Sequence, residues 1–269
     1  MNKSKIRLDR VTLEYAKGRK RRCGFWKRKE NLRDGGPKTV LDNIDLEIKA
    51  GEFVSILGHS GCGKSTLLKV IAGFVKPTRG SVWIDDRPVE GPRGDHVFVF
   101  QEGALFPWLT ILKNVSLALN SVADPAERLG KARQYLELVS LEAFEDYYPH
   151  MLSGGMRQRA EIARALAARP DVLLFDEPFS GLDYLTRLQM REEVLYLHMM
   201  LEKTTILFVT HDIDEALQLS NRVVILSDPP GRIKSCCSIN IAHPRLLSGP
   251  ALSELRTDIY HQLGVHAAL

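Results

Sequence analysis

An α/β fold organised around a phosphate-binding loop is predicted by three features of the sequence. Gly58-His59-Ser60-Gly61-Cys62-Gly63-Lys64-Ser65 stands between an apolar strand-like run, residues 53–57, and a helix-forming stretch. Residues 172–175 and 206–209 are continuous apolar runs, the pattern of strands buried on both faces of a parallel sheet. Residues 184–201 supply the helix that a crossover between two parallel strands needs.

The other elements follow in chain order. Residues 6–15, 45–49, 53–57 and 81–84 read as short strands separated by Gly- and Pro-bearing connections. Past the phosphate loop a helix is predicted over 65–72, with Leu67, Leu68 and Ile71 on one face and Gly73 as its stop. Residues 97–100 are strand-like. From 112 to 151 the chain is polar and helix-favouring, and 126–139 is its clearest helix. After Ser153 a helix runs to about Ala168, with Met156, Ala160, Ala163 and Ala167 on a small-residue face and Arg157, Glu161 and Arg164 elsewhere. The tail, 234–269, carries a short helix over 252–263.

Composition narrows the class. The 269 residues hold 37 Lys+Arg against 33 Asp+Glu, a net charge of +4. Lys17, Arg19, Lys20, Arg21, Arg22, Lys27, Arg28 and Lys29 put eight positive charges in one stretch with no acid, so the remainder is net acidic. A generally basic nucleic-acid binder is therefore not expected, and the basic character belongs to an insert, residues 17–36. That insert reads either as a solvated loop or as a contact for anionic lipid, an acidic partner or a regulatory ligand. No apolar stretch approaches the roughly 20 residues that span a bilayer, and no signal core opens the chain. Cys23, Cys62, Cys236 and Cys237 are too few and irregular for a disulfide framework, and no Cys/His spacing suggests zinc. The expectation is one cytoplasmic domain, 1–269, with no structural metal.

The residues that carry chemistry sit where strands end. The loop G-x-x-x-x-G-K-[ST] turns backbone N–H groups inward, the helix N-terminus adds positive partial charge, Lys64 reaches the β- and γ-phosphates, and Ser65 can ligate Mg²⁺. Asp176 follows an apolar strand, where a carboxylate can hold Mg²⁺ through water, and Glu177 beside it can polarise an attacking water. His211 follows the strand 206–209, where a neutral imidazole can donate to the γ-phosphate. Gln101 follows 97–100, and its amide can contact Mg²⁺ or the water. Leu152-Ser153-Gly154-Gly155-Met156 offers a second helix start with a natural N-cap and free glycine N–H groups.

The order of these segments, with Ser180-Gly181-Leu182-Asp183 between the acid pair and His211, resembles the nucleotide-binding subunits of ABC transporters over roughly residues 6–232. Within that family Gln101-Glu102-Gly103-Ala104-Leu105-Phe106-Pro107-Trp108-Leu109-Thr110, Tyr148-Pro149-His150 and Ser227-Asp228-Pro229-Pro230-Gly231-Arg232 resemble the nitrate/sulfonate/taurine/bicarbonate importer branch. The resemblance implies a P-loop NTPase core with an N-terminal antiparallel β portion and an inserted helical subdomain at about 102–160. It implies ATP held by Gly58, Ser60, Gly61, Cys62, Gly63, Lys64, Ser65 and Thr66, with Tyr15 stacked on adenine; Phe25 and Trp26 compete for that place. Ser65, Gln101 and Asp176 would form the Mg²⁺ shell, with Glu177 as base, His211 as γ-phosphate sensor and Gln101 beside them.

Two subunits would stack head to tail, so that Ser153, Gly154, Gly155 and Asp183 of one reach the nucleotide of the other. The further partners implied are transmembrane permease subunits and, indirectly, a periplasmic solute-binding protein, at the cytoplasmic face of the inner membrane. Leu105–Leu109 would form either the groove for a permease helix or part of the helical core. Glu161 departs from the apolar residue of many relatives and is expected to change no ligand group. A regulatory or DNA-repair clamp of the same ATPase fold is the alternative, although no heptad run or tandem domain is present. A GTPase lacks support, because no Asn-Lys-x-Asp segment occurs. The transported solute is not encoded in these residues.

Overall fold

The computed structural model describes residues 4–16, 37–101, 103–200 and 203–264; the basic insert, with Phe25 and Trp26, and Glu102 lie outside the described residues. The chain opens in an antiparallel sheet of β1 (Ser4–Tyr15), β2 (Lys38–Lys49), β4 (Arg79–Ile84) and β5 (Arg87–Pro88), in the order β2-β1-β4-β5. β2 begins well before the predicted run 45–49. Asn43 adopts a positive φ of 51°, and the register shifts between Val11 and Leu13. That irregularity breaks the two-residue alternation by which a strand is recognised.

The second sheet has the order β10-β9-β3-β8-β7-β6. Its strands are β3 (Phe53–Leu57), β6 (His96–Val99), β7 (Val172–Asp176), β8 (Thr205–Val209), β9 (Arg222–Leu226) and β10 (Ile233–Ser238). All neighbours are parallel except β10, which runs antiparallel to β9. β3, β7 and β8 are buried at every residue, including the polar Ser55, Asp176 and Thr205, as strands covered on both faces are.

Helices cover both faces. α1 (Lys64–Ile71) lays Leu67, Leu68 and Ile71 into a core with Val54, Ile56, Leu174 and Val209. Gly73 ends it at φ 78°, where the Phe74 N–H bonds back to Lys69. On the other face α5 (Tyr184–Met200) adds Met190 and Val194 to Phe53, Phe175, Phe179 and Phe208. A helical layer of α2 (Ile111–Ser116), α3 (Pro125–Leu138) and α4 (Gly154–Ala167) encloses its own core.

α4 serves two cores. Ala160, Ala163 and Ala167 face the helical layer, while Ile162, Ala165 and Leu166 face the phenylalanine core. The helical part expected at 102–160 thus passes into the sheet core along one continuous helix.

The stretch expected as a short tail is built into the fold. β10 extends the sheet, and α7 (Pro250–Gln262) buries Leu252 and Ile259 against Ile213, Ala216, Leu217 and Ile239, the first three from α6 (Ile213–Leu219). Arg245, almost fully buried, donates to the carbonyls of Leu217 and Ser220 and so closes the C-terminus of α6. Burial without a carboxylate partner lowers its pKa to about 10. No helix among the described residues is long and apolar enough to cross a membrane.

Candidate active site

The strand order places four loops along one edge of the parallel sheet. β3, β8, β7 and β6 lie side by side, with Ile56, Val209 and Asp176 in register and Val99 opposite Phe175. Their carboxyl ends carry the phosphate loop, His211, the acid pair and Gln101, at the edge where open α/β sheets bind ligands.

In the phosphate loop the backbone turns through positive φ at Gly61 (78°) and Gly63 (108°). A Cβ on Gly63 would lie 2.9 Å from Leu41 Cδ2 and 3.2 Å from the Val40 carbonyl, so β2 closes over this end of the loop. Gly231 shuts the rear, since a Cβ there would come within 2.3 Å of the Cys62 carbonyl. Cys62 is buried beneath the loop, and burial raises its thiol pKa. It is therefore a packing residue, not a nucleophile. α1 starts from Gly63 with no side-chain cap. The Lys64 ammonium spans the loop, donating to the carbonyls of Gly58 at 2.8 Å and His59 at 3.1 Å, and stands 3.7 Å from Glu177 Oε1.

Ser65 Oγ donates to Asp176 Oδ1 at 2.6 Å. Burial pushes the Asp176 carboxyl up, only partly opposed by the Ser65 hydrogen bond and the positive charge of Lys69. A buried carboxylate short of positive charge, beside a hydroxyl, is an all-oxygen donor set suited to Mg²⁺. Glu177 takes φ 47°, a strained conformation for a non-glycine residue. It is held there by its own N–H on the Val209 carbonyl and by Ser180, whose N–H and hydroxyl both donate to its carbonyl. The result aims Glu177 Oε2 at His211 Nδ1, 3.0 Å away.

His211 is mounted between two tethered neighbours. Thr210 Oγ1 donates to buried Glu215 at 2.5 Å and accepts the Asp212 N–H, while Arg191 bonds Asp212 at 2.9 Å. The phosphate loop, Ser65, Asp176, Glu177 and His211 are thereby brought together in one chain.

The remaining predicted residues lie elsewhere. Ser153 Oγ accepts the Met156 N–H at 3.3 Å and starts α4. Beside Gly154 a cavity of about 160 Å³ is lined by Gln101, Arg157, Gln158, Ser180 and Gly181, and not by the phosphate loop. A Cβ on Gly155 would lie 2.7 Å from Thr186 Cγ2, so α4 starts against the first turn of α5. Asp183 caps that turn through the Thr186 hydroxyl and N–H, bonds that hold its carboxyl below the usual range. Tyr15, half exposed, pairs with Lys38 at the start of β2, two positions from the Val40 that meets Gly63. The apolar set after Gln101 divides: Leu105 packs into the helical core, while Phe106 and Trp108 are exposed with rings 5.4 Å apart.

Two features escaped sequence reading. His59 Nδ1 lies 2.8 Å from Asp228, tying the phosphate loop to the loop that carries Gly231. Glu161 is buried and accepts the Ala104 N–H at 2.8 Å. Only the departure from an apolar residue at 161 pointed toward the second.

Residues 41–180 match the family described as ABC transporter. An uncharacterized ABC transporter ATP-binding protein of Methanocaldococcus jannaschii is 46% identical over 231 residues, 86% of each chain. The aliphatic sulfonates import ATP-binding protein SsuB of Bacillus anthracis is 44% identical over 238 residues, 88% of this chain and 91% of that one. Among solved structures, a dimeric ATP-binding cassette in a post-hydrolysis state with ADP and Pi superposes with a TM-score of 0.73 at 33% identity, covering 88% of this chain and all of the other.

Proposed function

The chain belongs to the ABC transporter family as an ATP-hydrolysing subunit, and from that premise we propose that it drives uptake of a small anion, such as a sulfonate, nitrate or bicarbonate, through separate permease subunits. The observation that carries the import reading is the 44% identity, over nearly the whole of both chains, to an aliphatic sulfonates import ATP-binding protein. A solute-binding protein outside the membrane would deliver the anion, and this subunit would sit peripherally on the cytoplasmic face.

In this reading the N–H groups of residues 61–66 and the Lys64 ammonium receive the β- and γ-phosphates of ATP. Tyr15 offers a face for the adenine. Ser65 and Asp176 would hold Mg²⁺, with Gln101 approaching from β6; the ion supplies charge neutralisation on the phosphates. Glu177 accepts a proton from water as its oxygen attacks the γ-phosphorus and the bond to ADP breaks. His211 orients Glu177 across their 3.0 Å Nδ1 contact, and its other ring nitrogen would donate to the γ-phosphate.

The cavity beside Gly154 is not lined by the chain's own phosphate loop, which supports use of the Ser153–Gly155 turn by a second subunit stacked head to tail, with Asp183 at that junction. A groove of about 410 Å³ lined by Phe98, Ala104, Phe106 and Arg164 gives a permease helix a place to dock.

The deciding experiment reconstitutes the chain with a permease pair and its solute-binding protein in liposomes. Solute accumulation that requires ATP on the side of this subunit is the expected result. ATPase activity indifferent to every permease, with no membrane association in the native cell, would favour a soluble clamp and overturn the import reading.

A further inference from the structure

Glu161 lines both cavities, the 410 Å³ groove and the 160 Å³ pocket beside Gln101 and Gly154. Its side chain comes from α4, the helix that Ser153 starts, and reaches the loop that follows Gln101. Oε1 accepts the Ala104 N–H at 2.8 Å, and a Cβ on Gly103 would stand 2.7 Å from the same oxygen. The loop and the carboxylate are therefore fitted to each other at both residues.

The chain beyond is fastened again. Asn114 of α2, fully buried, accepts the Phe106 N–H and donates to the carbonyls of Phe106, Leu109 and Thr110. Before Gln101, the backbone is held by the pairing of Val99 with Phe175. Gln101 thus lies between a segment fixed to the sheet and a segment fixed to the helical layer, and among the described residues that follow it Ala104 is bonded to Glu161. A buried carboxylate is costly. Burial raises the Glu161 pKa, while backbone hydrogen bonds at Ala104 and Leu105 and the charge of Arg164 favour ionisation. An apolar residue would avoid the cost and lose the bond.

We propose that Glu161 is a positioning residue, a carboxylate latch that makes the loop carrying Gln101 move with α4, so that Gln101 enters or leaves the ATP site as that helix shifts. This rests on the reading of Gln101 as part of the site. The latch also joins the groove wall at Ala104 and Phe106 to the nucleotide side through the Glu161 carboxylate.

The test is steady-state ATPase of the purified chain. Glu161→Ala lowers kcat about tenfold with KM for ATP within about twofold, because the reacting groups are misplaced while the phosphate loop is untouched. Glu161→Gln keeps an acceptor oxygen and restores kcat to within about twofold of the unaltered chain. Gly103→Ala crowds the same oxygen from the loop side and reproduces the kcat loss with α4 unaltered, which covers the case of a Glu161→Ala chain that does not fold. In a Gln101→Ala background, Glu161→Ala has no further effect on kcat. An unimpaired Gln101→Ala chain would overturn both the reading of Gln101 and the latch. Impaired Gln101→Ala with Glu161→Ala at full kcat, or losses that multiply in the double variant, would overturn the latch alone.

Discussion

Two helices begin in glycine-bearing turns suited to phosphate, and they are finished differently. α1 leaves Gly63 with no side-chain cap, whereas α4 starts from Ser153, whose hydroxyl already takes the Met156 N–H. Thr110, Asp124 and Asp212 likewise cap α2, α3 and α6, and Asp183 bonds the first turn of α5. Besides α1, α7 lacks a side-chain cap among the described α-helices, and it opens with Pro250, which has no N–H to satisfy. In the proposed function the bare start of α1 is the one that ATP phosphate completes. The start of α4 is already capped within the chain, with Gly154 exposed beside it, and the proposed head-to-tail dimer would use that turn from a second subunit.

The largest effect is expected where the chemistry is concentrated in a single chain. Glu177→Gln removes the proposed proton acceptor, the carboxylate whose residue Val209, Ser180 and His211 hold in place. It should lower kcat by about 10²–10⁴-fold with ATP affinity retained and an ATP-dependent dimer accumulating on gel filtration. Steady-state turnover at the original rate would take the chemistry away from the phosphate-loop half.

That half was legible because the acid pair and His211 follow continuous apolar runs, and the phosphate loop carries its own motif after a mostly apolar strand. The predicted β3 coincides with Phe53–Leu57, and the predicted α1 is displaced by a single residue. β9 has a similar apolar run, Val223 to Leu226, which was not read as a strand although the segment after it, 227–232, was singled out. β10, reading Ile-Lys-Ser-Cys-Cys-Ser, has no such run and is a strand because β9 offers it an edge. α7 has only Leu252 and Ile259 fully buried, and its docking depends on α6 and Ile239, a tertiary effect that no local window contains. Glu161 shows the same limit within the site. Its spacing on α4 marks it as off the small-residue face, but the loop it holds comes from β6, more than fifty residues earlier.

The contrast between the two helix starts is sharpened by Ser153→Arg, which fills the open turn with a long cation. ATPase of the dimer should fall by about 10²-fold, the scale expected when a phosphate-stabilising contact is lost. Equilibrium binding of ATP to the dilute monomer should stay unchanged, since Lys64 and its loop do not touch the turn. A parallel loss of monomer affinity would place Ser153 in its own chain's site and break the contrast.

A smaller and more physical separation comes from two alanines. Gly63→Ala forces a Cβ toward Leu41 and Val40 at φ 108° and should cost on the order of 1–3 kcal/mol, about 2–10 °C in Tm, and weaken ATP binding with it. A Cβ on Gly154 meets nothing within 4 Å, so Gly154→Ala should leave Tm within about 2 °C. Its loss should appear only in ATPase assays at concentrations where dimers form. Equal thermal penalties in the two variants would mean that both turns are structural.

The finest test separates a cap from a ligand contact at a single hydroxyl. Asp124→Ala and Ser153→Ala each remove an N-cap acceptor, from α3 and α4, and each should cost about 1 kcal/mol of stability. A serine that accepts Met156 N–H through its oxygen still has its own hydrogen to give, whereas the Asp124 carboxylate has none. If the spare hydrogen meets a phosphate in the closed dimer, Ser153→Ala lowers kcat severalfold beyond what its stability loss explains, and Asp124→Ala leaves kcat alone. Threonine at 153 keeps both the acceptor and the hydrogen and should recover most of the rate. Should Ser153→Ala and Asp124→Ala match in rate as well as in Tm, the hydroxyl does nothing beyond starting its helix, and contact with the second nucleotide falls to the glycine N–H groups.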